Sequence, residues 1–126
     1  MSDQETRTVL AVVSDLFFTV KITDAAKKAG LAVELVKDSK EALARAENKP
    51  SLIIVDLNFD AARPLELIGK LKQSAELKGV GVIGYLSHVQ AELKQAAQEA
   101  GCDMVLARSA FSQNITQILK RHADVV

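Results

Sequence analysis

Polar side chains that could do chemistry follow four apolar runs of this 126-residue chain, directly where each run ends. Two of them are the carboxylates Asp15 and Asp56. The set also includes the hydroxyl of Ser87 and the cation Arg108. The other members of the set are Ser14, Asn58, His88 and Ser109. Loops after strands are commonly polar, because Asp, Ser and Asn form turns and caps, so each residue alone has a structural explanation. Two carboxylates, a hydroxyl and a cation at one edge are, however, the groups that hold a metal ion and a phosphoryl group.

Five strands and five helices are predicted to alternate along the chain and to position these residues. Short runs rich in β-branched residues predict strands, and apolar side chains at helical spacing predict helices. The strands are predicted at residues 9–13, 32–36, 52–55, 80–86 and 104–106, and the helices at 17–29, 40–48, from 64 onwards, at 90–100 and around 115–119. Ser39 is predicted to begin the second helix, and Gly30 and Gly101 to end the first and fourth.

Near-continuous apolar strands that alternate with helices predict a parallel sheet with helices on both faces. Right-handed crossovers place the helices on each side of such a sheet. In such folds ligands bind beyond the carboxyl ends of the strands, at the point where the strand order changes direction. The fold class therefore places the polar set at the edge of the sheet where a site is expected.

Length and composition exclude several classes of protein. A chain of this length predicts one α/β domain at residues 8–123, preceded by a flexible polar arm at residues 1–7. The 16 Lys and Arg residues balance the 16 Asp and Glu residues, so neither nucleic acid nor a membrane is an expected partner. Cys102 is the one cysteine and cannot form an internal disulfide, and no signal peptide is evident. We therefore expect a cytoplasmic protein.

Three stretches of the chain carry a resemblance to a known family. They are Ile53-Ile54-Val55-Asp56-Leu57-Asn58, Leu86-Ser87, and the segment from Ala100 to Arg108. Together with the alternating elements, they resemble the response-regulator receiver domain, the CheY-like branch of the flavodoxin-like fold, over residues 8–122. The resemblance implies a doubly wound sheet in the order 2-1-3-4-5. It also implies that Asp56 accepts phosphate from a histidine kinase, that the Ser87 hydroxyl turns toward that phosphate, and that Arg108 stands at the position of the family's lysine.

The metal ligands of the family are incomplete in this chain. Receivers normally have an acidic pair after the first strand, but this chain has Ser14-Asp15, and the sequence leaves open which of the two faces the site. By the resemblance, the possible Mg²⁺ ligands are Asp15, Asp56 and the backbone carbonyl of Asn58. With one acid fewer, we expect Mg²⁺ to bind more weakly.

Four further positions depart from the family pattern. Arg108 keeps the positive charge of the usual lysine but has a planar donor group of different reach, and we expect it to lie close enough to Asp56 to interact. A structural ion pair explains this pairing as well as a signalling role does. His88 stands where a small residue usually admits phosphate, Val105 replaces the switch aromatic, and Ser109 replaces a proline.

Two other patterns are set aside on structural grounds. A Ser–His–Asp hydrolase would require Ser87, His88 and Asp56 to form a triad, but adjacent Ser and His residues rarely form the necessary hydrogen bond, and no G-x-S-x-G turn is present. Residues 79–84 match the dinucleotide motif G-x-G-x-x-G, but these glycines fall at the start of and inside the predicted fourth strand, whereas the motif must follow a strand and open a helix.

The sequence as a whole favours a pseudo-receiver, a module of bacterial two-component (phosphorelay) type that acts by protein–protein interaction and is not an enzyme. One alternative is a genuine phosphoacceptor that uses Asp56 with Mg²⁺, and a second is a binder of small ligands at the same edge. The resemblance implies a signalling protein as partner, either a histidine kinase or a downstream effector. Phe17 and Phe18 cannot face the same side of a helix, so one of them is expected to be partly exposed as a partner contact.

Overall fold

The computed structural model describes residues 7–87 and 90–123, and these contain one parallel sheet covered by helices. The strands are β1 (Thr8–Val12), β2 (Ala32–Val36), β3 (Leu52–Asp56), β4 (Gly81–Leu86) and β5 (Met104–Ala107). The helices are α1 (Leu16–Ala29), α2 (Ser39–Ala46), α3 (Pro64–Gln73), α4 (Ala91–Ala100) and α5 (Arg108–Ala123), with a 3-10 turn at Asp60–Ala62. The strand order is β2-β1-β3-β4-β5 and every pairing is parallel, which confirms the predicted topology.

The core consists of two apolar layers, one on each face of the sheet. Successive side chains of a strand point to opposite faces, so Leu10 and Val12 of β1 belong to one layer while Val9 and Ala11 belong to the other. The first layer packs against α2, α3 and α4, and the second against α1 and α5. Because both faces are covered, the central strands β1, β3 and β4 read as apolar runs without alternation, whereas the edge strand β2 contains Glu34 and is only partly buried.

The helix ends follow local chemistry. Gly30 and Gly101 end α1 and α4 in left-handed conformations with φ of 78° and 114°, as predicted for glycine caps. Ser39 is the first residue of α2, as predicted, but the side chain that caps the helix belongs to the preceding residue, Asp38. The carboxylate of Asp38 accepts a hydrogen bond from the backbone N–H of Glu41 at 2.7 Å, and Ser39 is the first residue of the helix itself.

The glycines of the G-x-G-x-x-G stretch lie before and within β4, as predicted. A side chain at Gly84 would come within 2.9 Å of the side chain of Leu57, so packing explains this glycine. None of the helices within the described residues has the length and apolar content needed to cross a bilayer.

Candidate functional site

Three charged residues from different elements meet at the carboxyl edge of the sheet. Asp15 follows β1, Asp56 is the last residue of β3, and Arg108 is the first residue of α5, directly after β5. The parallel register pairs Val12 with Val55, Asp56 with Tyr85, and Leu86 with Ala107, so the strands end side by side. The topology therefore gathers these charges although they are far apart in sequence.

Asp15 is bound on both of its carboxylate oxygens. Oδ1 accepts hydrogen bonds from the backbone N–H groups of Phe17 at 2.7 Å and Phe18 at 3.3 Å, and so caps the N-terminus of α1. Oδ2 accepts a hydrogen bond from Nη2 of Arg108. Ser14 is exposed beside it. Of the two residues that the sequence left open, Asp15 is thus the one that faces the site.

Asp56 is the one charged residue among the described positions that is buried, with 7% of its surface exposed. Its Oδ1 accepts a hydrogen bond from the backbone N–H of Asn58 at 2.9 Å. Burial raises the pKa of the Asp56 carboxyl above its usual value, and this outweighs the opposing effects of the Asn58 N–H and the Arg108 charge. Arg108 thus acts on Asp56 through its charge, whereas its direct ion pair is with Asp15 and not with Asp56.

Asn58 connects two loops of the site through its side chain. Its Oδ1 accepts a hydrogen bond from the backbone N–H of Ser87 at 2.6 Å, and its Nδ2 donates to Oε1 of Gln90 at 3.0 Å. Ser87 is thereby held next to the end of β3, as the strand order requires. His88 lies outside the described residues, so its predicted place at the entrance stays a prediction.

Tyr85 is a member of the site that sequence reasoning did not single out. Its ring is buried and stacks against the rings of Phe18 and Phe111, with centroid distances of 4.7 and 4.9 Å. Burial, followed by the Asp56 charge, raises the pKa of the Tyr85 hydroxyl. The hydroxyl interacts with Asp56 but makes no well-formed hydrogen bond within the part of the chain that the structure describes. The signal in the sequence was the position of Tyr85 in β4. A residue that pairs with Asp56 on the adjacent strand must lie close to Asp56.

Arg108 is also held by an aromatic ring. The centre of its guanidinium lies 5.1 Å from the centroid of the Phe18 ring, in a cation–π arrangement. Two other positions that depart from the family pattern lie close to Arg108 in sequence. Val105 is buried in the layer against α4, and Ser109 is an exposed residue in the first turn of α5.

These residues do not fit a Mg²⁺ ion as they are arranged. Mg²⁺ requires hard oxygen ligands in octahedral geometry, but both oxygens of Asp15 already accept hydrogen bonds from N–H donors, and the donor to Oδ2 is the guanidinium cation of Arg108. No group of three Asp, Glu, His or Cys side chains within residues 7–87 and 90–123 could hold a metal. A nearby fixed cation also opposes metal binding.

Comparison with known proteins shows likeness in structure alone. No protein-family model matches the sequence, and no curated protein matches it. The chemotaxis response regulator CheY4 of Vibrio cholerae superposes with a TM-score of 0.80 at 23% identity, over 94% of this chain and 99% of that one. A response regulator from Hahella chejuensis gives 0.85 at 20% identity, over 95% and 97% of the two chains.

A putative response regulator from Chloroflexus aurantiacus gives a TM-score of 0.82 at 21% identity and covers 96% of this chain and 100% of its own. At these identities the agreement concerns the fold, and it extends over nearly the full length of each protein. The strand order and the five helices agree with it. The chain therefore has the flavodoxin-like fold of the CheY-like response-regulator receiver domains.

Proposed function

We propose that this chain is a signalling module of two-component type that acts by binding another protein, and that its activity does not depend on phosphorylation of Asp56. The observation that carries the proposal is the ion pair between Arg108 and Asp15 beside the buried carboxylate of Asp56. In this proposal the guanidinium takes the place of the metal, the module has no enzymatic activity, and its partner is a histidine kinase or a downstream effector.

The charge balance of the site supports this proposal. Phosphoryl transfer to a carboxylate brings negative charges together, and a metal ion normally offsets them. Arg108 already offsets the charges of Asp15 and Asp56, but it does so in the resting state, so it gives no selective help to the transition state. With 7% of its surface exposed, Asp56 also offers little room for in-line attack on a phosphodonor.

The two alternatives differ in what they require of the site. A genuine phosphoacceptor requires Arg108 to leave Asp15 so that Mg²⁺ can reach the carboxylates. A binder of small ligands requires a cavity over the site. One groove of about 410 Å³ near this edge is lined by Leu57, Asp60, Arg63, Pro64 and Leu93, among others, but not by Asp15, Asp56 or Arg108. It gives no support to ligand binding above Asp56.

The test is to offer a phosphodonor and to follow the amide NMR signals of the site. Acetyl phosphate, or beryllofluoride as a mimic of the phosphoryl group, is added with Mg²⁺ to the full chain and to the matched variant Asp56→Asn. We expect no saturable shifts around Asp56, Ser87 and Val105, and no difference between the two proteins. Saturable shifts that require Mg²⁺ and disappear in Asp56→Asn would favour the phosphoacceptor instead. In that case Arg108→Ala should weaken the response, since Arg108 would be acting as the family's lysine.

A further inference from the structure

Large apolar side chains are exposed near the start of α1 and on both edges of the sheet. The group on α1 includes Phe17, while the adjacent Phe18 is buried, which confirms the expectation that one of these two residues is exposed. On the edges of the sheet, Leu35 of β2 has 43% of its surface exposed and Met104 of β5 has 40%. Each edge strand therefore carries an apolar side chain that the rest of the described chain does not cover.

The outer side of β2 has backbone groups that are not bonded to the sheet. Among the described residues β2 pairs with β1 alone, and the N–H of Ala32 donates to the carbonyl of Arg7 at 2.9 Å. In a parallel ladder alternate residues bond to the same neighbour, so the residues two and four positions further on also turn toward β1. The N–H and C=O groups of Val33 and Leu35 therefore point outward, where the described chain places no strand.

The edge of β2 lacks the usual protection against pairing with another strand. Edge strands are normally protected by charges, prolines or bulges, but β2 has no proline and pairs with β1 over all five of its residues without a bulge. Its one charged side chain, Glu34, forms an ion pair with Arg45 of α2 at 3.5 Å. Leu35 lies on the opposite face of the sheet, because it pairs with Ala11 of the layer against α1 and α5. The charge of the strand is thus offset, and its apolar side chain is exposed.

The other edge of the sheet is less suited to strand pairing. β5 has four residues, and Met104 is the first of them, so a pairing centred on this residue would use only part of the strand. Leu35, in contrast, has β2 residues on both sides. Asp38, just beyond β2, is also extended, with φ of −145° and ψ of 163°. Extended backbone therefore flanks Leu35 in both directions.

We infer that β2 is a self-association strand, through which two copies of the chain pair antiparallel about a two-fold axis at Leu35. This register sets Leu35 opposite Leu35 of the second copy, so that the two exposed side chains cover each other. It also sets Glu34 opposite Val36 of the second copy. A register centred on Glu34 would instead set two carboxylates directly opposite each other, which is unfavourable.

A second copy of the chain is the occupant that this edge specifies. Antiparallel pairing satisfies the outward N–H and C=O groups of both strands and joins two five-stranded sheets into one. The contact involves short strands, so we expect a weak dimer that forms at high protein concentration. The inference goes beyond the proposed function and does not depend on it, because β1 separates β2 from β3 and Asp56.

Sedimentation equilibrium of the full chain between about 10 µM and about 1 mM measures the association. The buffer contains EDTA and no phosphodonor, so the result is independent of whether Asp56 can be phosphorylated. We expect a reversible equilibrium between monomer and dimer. Leu35→Lys should weaken it about tenfold, since two ammonium groups would then face each other across the axis. Met104→Lys, at a similarly exposed position on the other edge, is the matched control and should leave it unchanged.

Hydrogen exchange and NMR locate the interface, and the melting temperature checks that both variants keep the fold. As the protein concentration rises, the amides of Val33 and Leu35 should become protected, while that of Ala32, already bonded to Arg7, should not change. In a mixture of isotope-labelled and unlabelled protein, NOEs between Leu35 methyl groups of different copies would confirm the register. A chain that stays monomeric at about 1 mM would overturn the inference. So would a dimer that Met104→Lys weakens as much as Leu35→Lys does, or one in which the amides of Val33 and Leu35 stay unprotected.

Discussion

The two edges of the sheet each contain an ion pair between a basic residue and an aspartate, and the two pairs differ in how completely they are bonded. At the amino edge of β4 and β5, Nζ of Lys72 donates to the carbonyl of Lys78 at 3.1 Å, to the carbonyl of Val80 at 2.8 Å and to Oδ2 of Asp103 at 2.8 Å. An ammonium has three donors, and each of these has an acceptor. Asp103 also accepts a hydrogen bond from the backbone N–H of Val82.

The carboxyl edge is incompletely bonded by the same measure. Nε of Arg108 and the hydroxyl of Tyr85 are buried, yet neither has a well-formed hydrogen bond to any of the described residues. Asp56 is buried with a raised pKa. Buried polar groups are normally satisfied, and exceptions concentrate at functional sites. The difference indicates that the Lys72 cluster stabilises the fold. The Asp15–Asp56–Arg108 edge instead keeps buried polar groups that destabilise the folded state, which is typical of a functional site.

The largest effect is expected from breaking the better-bonded pair. Lys72→Met keeps the length of the side chain but leaves two carbonyls and the Asp103 carboxylate without this donor. It should lower the free energy of unfolding by about 2 to 3 kcal/mol, measured by urea denaturation. Lys70→Met, an exposed position on the same helix, is the control and should have little effect. Equal stability of the two variants would mean that the Lys72 cluster is not a structural clamp.

A smaller loss is expected at the other edge. Arg108→Ala removes the cation that offsets two carboxylates and should lower the free energy of unfolding by about 1 to 2 kcal/mol. The value lies below that of a fully buried pair because 39% of the Arg108 side chain is exposed. In the background of Asp56→Asn the loss should be smaller, since one of the two charges is already gone, and urea denaturation of the four proteins measures this coupling. Arg121→Ala, exposed on the same helix, is the control; a loss equal to that of Arg108→Ala would contradict the electrostatic explanation.

The smallest effect, and one of opposite sign, is expected from Asp56→Asn itself. The pKa of Asp56 in the folded protein is raised, so the folded state holds this proton more tightly than the unfolded state does. Stability from this group is therefore fully present below its ordinary pKa of 3.8 and is lost as the pH rises through the folded value. The asparagine variant lacks this loss. Its free energy of unfolding should therefore rise relative to that of the wild type as the pH increases, and at pH 7 the variant should be the more stable of the two proteins.

Urea denaturation at several pH values from 3 to 7 measures that difference directly. Asp60→Asn, at an exposed carboxylate four residues further on, is the control and should show no comparable trend. A wild type that is more stable than Asp56→Asn at pH 7 would show that the hydrogen bond from Asn58 and the charge of Arg108 outweigh the cost of burial.

The fold could be predicted from the sequence because its signals are repeated along the chain. Each buried strand is an apolar run, and glycines such as Gly30 and Gly101 end helices where a left-handed residue is required. Adjacent residues of similar chemistry were harder to separate. Asp38 and Ser39 are both good helix caps, and the one that caps α2 is decided by backbone conformation, which the sequence does not reveal.

The residues of the site could be predicted from the sequence more easily than the hydrogen bonds and ion pairs between them. The topology brings Asp15, Asp56 and Arg108 to one edge, but the choice of Arg108 between two nearby carboxylates depends on side-chain geometry and on the Phe18 ring beneath it. Tyr85 was missed for a different reason. An aromatic residue in an apolar strand is typical of core packing, and its ring does pack in the core, while its hydroxyl reaches the site.

The aromatic stack around Tyr85 has a consequence for spectroscopy. The chain contains one tyrosine and no tryptophan, so its ultraviolet absorption near 280 nm and its intrinsic fluorescence come almost entirely from this one ring. That ring stacks on Phe18 and Phe111, and Tyr85 pairs with Asp56 on the adjacent strand. Carboxylates quench phenol emission, and the phenol responds to any nearby change in charge or solvation. The molecule therefore carries a single built-in optical reporter, positioned at the edge of the sheet where its chemistry is concentrated.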